Sequence, residues 1–403
     1  MDIANVAELI KFLLILLIPA LLVLSYYGIK NRLKLDWTSL FLFFVIVWGG
    51  FVGILRGNAF LPTISDTAAV SIAALAYVTS LQRWAAAGSF VPIMKYSATI
   101  ILVAALAFVG IGYLLRFGLG YEFYFSLSDI TLIITLSWGL AARKNAITFL
   151  SLACILLGGK IGVLAAAALV ILTHVSLSLR ARAVSVIIGA VAVIALFNGL
   201  MYWSADKDVP DDGPLASLSN KLLVLYNPYR VDLEMLDPSD LEGTPIEDIG
   251  GGRLAEVIYS LGKLARLPYH PFLLGGGSGF TYDMWYMGEF RPDTKNAHFT
   301  PVSLIGKFGI PVAVALYLVV IARILKAYSI IQKLGARTPV HQAMLYFCVA
   351  NIIFSFTAYS FFNVVVFWFF LGLLANSHFW KKAKEQNAAT PGYPETTSVP
   401  CAE

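Results

Sequence analysis

Residues 299–322 read FTPVSLIGKFGIPVAVALYLVVIA, and the only charged side chain among them is Lys307. A helix rises about 1.5 Å per residue, so a run of this length crosses the roughly 30 Å of hydrocarbon in a bilayer. Runs of the same kind, some of them shorter, lie at 6–28, 37–55, 67–82, 97–115, 127–141, 146–158, 160–178, 184–203, 341–357 and 360–380. The 146–158 run is short for a full crossing. The expectation is an all-α polytopic integral membrane protein with about eleven transmembrane helices, within a range of roughly 10–12.

Composition agrees. The 403 residues are 59% hydrophobic and 13% charged, whereas soluble domains run near half apolar and about a quarter charged. A disordered chain, a collagen-like fibre and a disulfide scaffold are excluded on the same grounds. Cys154 and Cys348 lie inside apolar runs and Cys401 in a polar tail, so no disulfide framework is indicated. The net charge of +5 hides an asymmetry. Residues 204–298 hold 15 acids against 8 Lys/Arg, a local −7, which leaves +12 elsewhere. That basic excess reads as cytoplasmic anchoring of spans in a bilayer, not as a nucleic-acid footprint.

The positive-inside rule orients the spans. Lys30, Arg32 and Lys34, then Arg83 and Lys95, Arg143 and Lys144, and Arg180 and Arg182 fall in alternate connections. Arg323, Lys326, Lys333 and Arg337 continue the pattern, and Lys381, Lys382 and Lys384 follow the last span. The short connections on the other side carry only Arg56, Arg116 and Lys160. The expected protein is therefore multi-pass, with its C-terminus cytoplasmic and its N-terminus outside. The N-terminus lacks a basic n-region and an Ala-x-Ala site, so 6–28 reads as a retained first span. Residues 1–203 hold the first group of helices, 204–298 form one large outer loop, 299–380 hold the second group, and 381–403 form a disordered tail.

A 95-residue connection between spans is longer than joining them requires, which points to function. Residues 204–250 are acidic and punctuated by Pro and Gly, with no calcium-loop spacing. Within 253–266, Leu254, Val257, Ile258, Leu261, Leu264 and Ala265 recur at helical spacing. Arg253, Glu256, Ser260, Lys263 and Arg266 fall on the opposite face. Gly250–Gly252 precede this amphipathic helix and Pro268 follows it. Arg253 in its first turn either completes an anion site with the backbone N–H groups or solvates the helix end. YHPFLLGGGSGF follows at 269–280. Its glycines, Gly275 and Gly277 among them, allow backbone to approach a ligand closely, although neither a Walker loop nor a dinucleotide fingerprint is present. RPDTKNAHF (291–299) then places His298 at the mouth of the next span. No His/Asp spacing suggests a metal site.

The order of these pieces resembles the bacterial O-antigen ligase and Wzy-type polymerase superfamily, which are glycosyltransferases of the C-type architecture. The resemblance rests on Gly252-Arg253 opening an amphipathic helix, on His270-Pro271 to Phe280, and on His298 entering an apolar helix with Gly309 eleven residues on. It covers roughly 250–322. Gly158-Gly159-Lys160-Ile161-Gly162 is similar to the basic turn such proteins carry before the large loop. Phe299 departs from the Asn usual after the His, Lys307 from a common Glu, and Lys160 from the commoner Arg.

The resemblance implies an inverting, metal-independent transfer at the periplasmic face of the bacterial inner membrane, with no cofactor. The donor is an undecaprenyl-pyrophosphate-linked glycan, and the product is an O-antigen or exopolysaccharide polymer or, in a ligase, glycan on lipid A core. A chain-length regulator is an expected partner. His298 would be the base, and Arg253 and Lys160 the cations facing the leaving diphosphate, with Arg116 and Arg291 as second choices. Tyr282, Trp285 and Tyr286 either stack on sugars or pack. Lys307 inside a span points either to function or to a buried partner, such as Asp129. A lipid-linked glycan transporter is the competing class, with inverted repeats and broken midplane helices as its signature.

Overall fold

The computed structural model describes residues 30, 33–82, 87–119, 129–157, 161–178, 253–286, 289–334, 339–357 and 361–381. The expected spans at 6–28 and 184–203, Lys160, the acidic half of the loop at 204–250 and the tail from 382 lie outside the described residues. The described elements are α1 (Trp37–Leu55), α2 (Phe60–Ser80), α3 (Ala87–Leu119), α4 (Asp129–Ala141), α5 (Asn145–Leu157) and α6 (Ile161–Ser178). Then come α7 (Arg253–Ala265), α8 (Pro271–Leu274), β1 (Tyr282–Tyr286), β2 (Glu289–Thr294), α9 (Thr300–Phe308), α10 (Ile310–Leu334), α11 (Pro339–Ser355) and α12 (Val365–Ala375).

Among the described residues, four helices are long and apolar enough to cross a bilayer: Trp37–Leu55, Phe60–Ser80, Ser89–Gly112 and Ile310–Leu334, with mean hydropathies of 2.3, 1.4, 1.9 and 2.1. Shorter apolar helices, Thr131–Ala141 and Pro339–Ser355 among them, complete the described bundle. The chain is a mostly helical, membrane-embedded protein.

The bundle shares one core. α12 packs on α2, α11 on α4 and α6, and α1 on α2. The residues they bury include Leu42, Tyr77, Leu136, Phe347 and Trp368, each at 4% exposure or less, whereas Leu55, Phe60, Ile100, Val103 and Leu318 point outward. Outward apolar side chains at this density suit a lipid solvent, where facing hydrocarbon carries no penalty. His174 and His341 stay in the bundle, against Tyr346 and Trp380 respectively.

One end of the bundle is closed by polar contacts. Asp36 caps α1 by accepting from Ser39 N–H at 3.0 Å, and it receives Arg323 Nη2 at 2.6 Å and the Tyr77 hydroxyl at 2.9 Å. Arg323 Nε adds a bond to Thr38. Asn376 Nδ2 donates to the carbonyls of Ser80 and Gln82. Arg323, Lys326 and Lys333 lie within α10, because that helix runs on to Leu334 instead of ending near 322.

The run at 299–322 is not one helix. α9 stops at Phe308, and Gly309 takes φ +83° before α10 begins. A Cβ there would overlap the Leu273 carbonyl, so α8 wedges against the break. Pro311 then sits in the first turn of α10, where a missing N–H costs nothing. Hydropathy alone cannot register this interruption, since both halves are apolar.

A small cap sits on the opposite end of the bundle from the Asp36 network. It has its own buried cluster: Ala255, Tyr259 and Leu264 of α7, Phe280, Tyr282 and Met284, and Ala297 and Val302. β1 and β2 form an antiparallel hairpin pairing Tyr282 with Thr294 and Tyr286 with Glu289. An all-α expectation omits this hairpin. Its signal was the alternation of buried Tyr282, exposed Asp283 and buried Met284.

The cap docks through residues 275–279. Gly276 and Gly277 N–H donate to the carbonyls of Gly306 and Lys307, and Ser278 N–H to that of Gly49 at 2.8 Å. Asn58 Nδ2 reaches back to the carbonyls of Gly276 and Ser278. Arg56 Nη2 donates to the Tyr269 carbonyl at 3.1 Å, and Nη1 to that of Pro268. Gly277 (φ +83°) lies directly on the backbone of Val52 and Gly53. What these glycines admit is therefore the protein's own helices, not a ligand. This corrects the expectation for Gly275, which faces Lys307 and Gly309 backbone, and for Gly277.

Gly277→Ala is expected to lower stability in detergent by at least about 1–3 kcal/mol, the order of cost of holding a non-glycine residue at such a φ. Gly50→Ala, in the interior of α1 with a Cβ that meets nothing within 4 Å, is expected to hold or raise the unfolding midpoint. Thermal unfolding of both purified variants checks this.

Candidate functional site

The site is built on the underside of the cap. α2 begins at Phe60 instead of 67, which puts Asp66 within the helix and 8% exposed. A carboxylate there needs a partner, and Lys307 of α9 supplies it: Nζ donates to Asp66 Oδ1 at 2.6 Å. The side chains are 1% and 9% exposed. Asp66, not Asp129, is thus the partner of Lys307. The second carboxylate oxygen accepts Gly279 N–H at 2.8 Å. Lys307 also donates to Asn296 Oδ1 at 2.5 Å. One buried ion pair therefore joins α2, α9, the glycine turn and the segment leading to His298.

That segment is held residue by residue. Asn296 is fixed by Lys307. The Ala297 carbonyl accepts the Ser303 hydroxyl at 2.9 Å. His298 N–H donates to Glu256 Oε2 at 2.7 Å, and His298 Nδ1 lies 2.5 Å from Glu256 Oε1. A carboxylate only accepts, so Nδ1 carries the proton in this bond and Nε2 is the nitrogen left for other chemistry. The His298 side chain is 61% exposed and that of Glu256 9%.

Glu256 corrects the reading of α7. Helical periodicity assigns Glu256 and Ser260 to the solvated face, yet both are buried, at 7% and 1%, whereas Ala265 is exposed. The face turned inward is Ala255, Glu256, Tyr259, Ser260 and Leu264, because α7 packs on β1 and α9. Val257, Ile258 and Leu261 are half-buried at its flank. Glu256 is tolerated inside because two donors from His298 meet its two oxygens.

The other expected residues divide. The Arg253 backbone opens α7, three residues before Glu256. Arg291 is exposed on β2, opposite Met284. Trp285 lies on β1 opposite Phe290, and Arg116 in the last turn of α3. Tyr282 is corrected: at 1% exposure its ring is core and is not available to stack on a sugar. Burial, with Glu256 as a lesser cause, pushes its hydroxyl far above the ordinary phenol range. His270, at φ +50° ψ +61°, is a turn residue preceding α8.

Asp66, Asn296 and Glu256 were not read from the sequence as site residues. Asn296 had a signal, a polar residue two positions before the histidine. Glu256 and Asp66 had none, since their partners are 42 and 241 residues away. Among the described residues, no group of three or more His, Cys, Asp or Glu could hold a metal ion.

Lys307→Met and Asp66→Asn are each expected to destabilise the protein by about 3–5 kcal/mol, because each strands a buried charge or its donors. The double variant is expected to regain at least half of that loss, read as unfolding midpoints in detergent.

No family model matches the chain, and no curated protein or solved structure matches it either.

Proposed function

We propose that the protein is a membrane glycosyltransferase that polymerises undecaprenyl-pyrophosphate-linked oligosaccharide into O-antigen or exopolysaccharide at the periplasmic face of a bacterial inner membrane. In this reading it has about eleven spans and the C-type architecture, with the cap facing the periplasm. Transfer of the glycan to lipid A core, the ligase reaction, uses the same site with a different acceptor.

The observation that carries the proposal is the joining of two distant motif pieces. The helix opened by Arg253 and the segment ending in His298 are bonded to each other through Glu256. This supports a site in which the helix headed by Arg253 and the imidazole of His298 are brought to one place.

The chemistry follows from that pairing. His298 Nε2 takes the proton of the acceptor hydroxyl as its oxygen bonds to the anomeric carbon. The C1–O bond to the diphosphate breaks on the opposite face, inverting the centre. Undecaprenyl pyrophosphate departs with the electron pair, and Arg253 and Lys160 are the cations assigned to stabilise the growing charge, with Arg116 and Arg291 as second choices. The lipid stays in the bilayer while the glycan extends into water.

Release of undecaprenyl pyrophosphate by the purified protein tests this. His298→Ala is expected to slow release by about 10²–10⁴-fold, and Arg253→Ala by about 10²–10³-fold. Long glycan still on undecaprenol marks the polymerase, and glycan on lipid A core the ligase. Normal glycan chain length in cells carrying either variant overturns the site.

A further inference from the structure

Resting on that reading of His298, we infer that Glu256 is the positioning residue of the site: it sets the tautomer and direction of the imidazole and balances the charge His298 gains on taking a proton. Four observations converge. The carboxylate takes both donors that His298 offers toward it, the backbone N–H at 2.7 Å and Nδ1 at 2.5 Å. It is buried while the histidine is mostly exposed, so the orienting bond is shielded and Nε2 is the nitrogen presented outward. The residues before His298 are pinned independently, Asn296 by Lys307 and Ala297 by Ser303, which leaves the ring torsions as the freedom that Glu256 removes. Finally, α7 buries Glu256 with Ser260 on its inner face although half-buried apolar residues flank it. A carboxylate withdrawn from water adds little net stability even when its oxygens are hydrogen-bonded, so its place there is accounted for by what it does to the ring.

The step balances without a further reagent. The acceptor O–H bond breaks and its proton passes to Nε2, while Nδ1 keeps its own. The oxygen lone pair forms the new C1–O bond, and the old C1–O pair leaves on the diphosphate. His298 is then an imidazolium whose charge faces the Glu256 carboxylate, which itself takes no proton. The role resembles in kind any carboxylate that holds a catalytic imidazole in its productive tautomer.

The test uses the full-length protein in detergent with Glu256→Gln, Glu256→Ala, Glu256→Asp and His298→Ala. Glu256→Gln keeps the volume and one acceptor oxygen but loses the charge. It is expected to lower kcat about 10–100-fold, the range for losing an orienting partner, with KM for the lipid-linked donor within about threefold of wild type. Glu256→Ala is expected to fall at least as far, and Glu256→Asp to recover part of the loss. In protein carrying ¹⁵N-labelled histidine, the His298 resonances are expected to report a single Nδ1–H tautomer in the wild type and a mixed population in Glu256→Ala, whether or not substrate is present. Wild-type kcat in both Glu256→Gln and Glu256→Ala, with His298→Ala inactive, overturns the inference and leaves the base in place. Unchanged tautomer populations in Glu256→Ala overturn it equally. Full activity of His298→Ala instead overturns the underlying reading of His298, and the tautomer measurement still decides whether Glu256 orients the ring.

Discussion

The buried pair of Lys307 and Asp66 is the contact on which the rest of the cap end depends. A charge withdrawn from water must be matched at close range, because its own desolvation is unfavourable by several kcal/mol. Lys307 is matched by a carboxylate and an amide oxygen, and Asp66 by an ammonium and a backbone N–H. None of these four groups can move without exposing another. The pair thereby fixes where α9 lies against α2, and with it the position from which the chain enters the cap.

Around that pair the cap is attached by backbone more than by side chains. The carbonyls of Gly49, Gly306 and Lys307 receive N–H groups of the glycine turn. Such a joint requires near contact of main chains, and Gly53 and Gly277 meet with no room for a side chain on either. The opposite end of the bundle is joined differently, by Asp36, Arg323 and Tyr77 through their side chains. α1 and α2 are therefore anchored at both ends by unrelated chemistry, with an apolar, lipid-facing length between.

The helices were legible where composition alone decides them. The runs at 37–55, 146–158 and 160–178 match α1, α5 and α6 to within a residue or so at each end. The apolar pattern failed where a distant contact overrules it. Hydropathy saw one span at 299–322, since the break at Gly309 is imposed by Leu273 from another part of the chain. It started α2 after Asp66, because nothing nearby in sequence neutralises that carboxylate. It placed Glu256 in solvent, because helical periodicity weighs polarity and has no knowledge of two donors arriving from residue 298. Of the candidate site, the histidine and the arginine-headed helix stand out in the sequence as motif pieces. Their connection was not, since a hydrogen bond between residues 42 apart leaves no local trace.

The separation of Asp66 from Lys307 along the chain also bears on biogenesis. Synthesis delivers Asp66 to the translocation machinery 241 residues ahead of its counter-ion. α2 is therefore made with an acid whose counter-ion is still to come, less than two helical turns from its start at Phe60. The cap end of the bundle can thus close around this pair only once both α2 and α9 have been made.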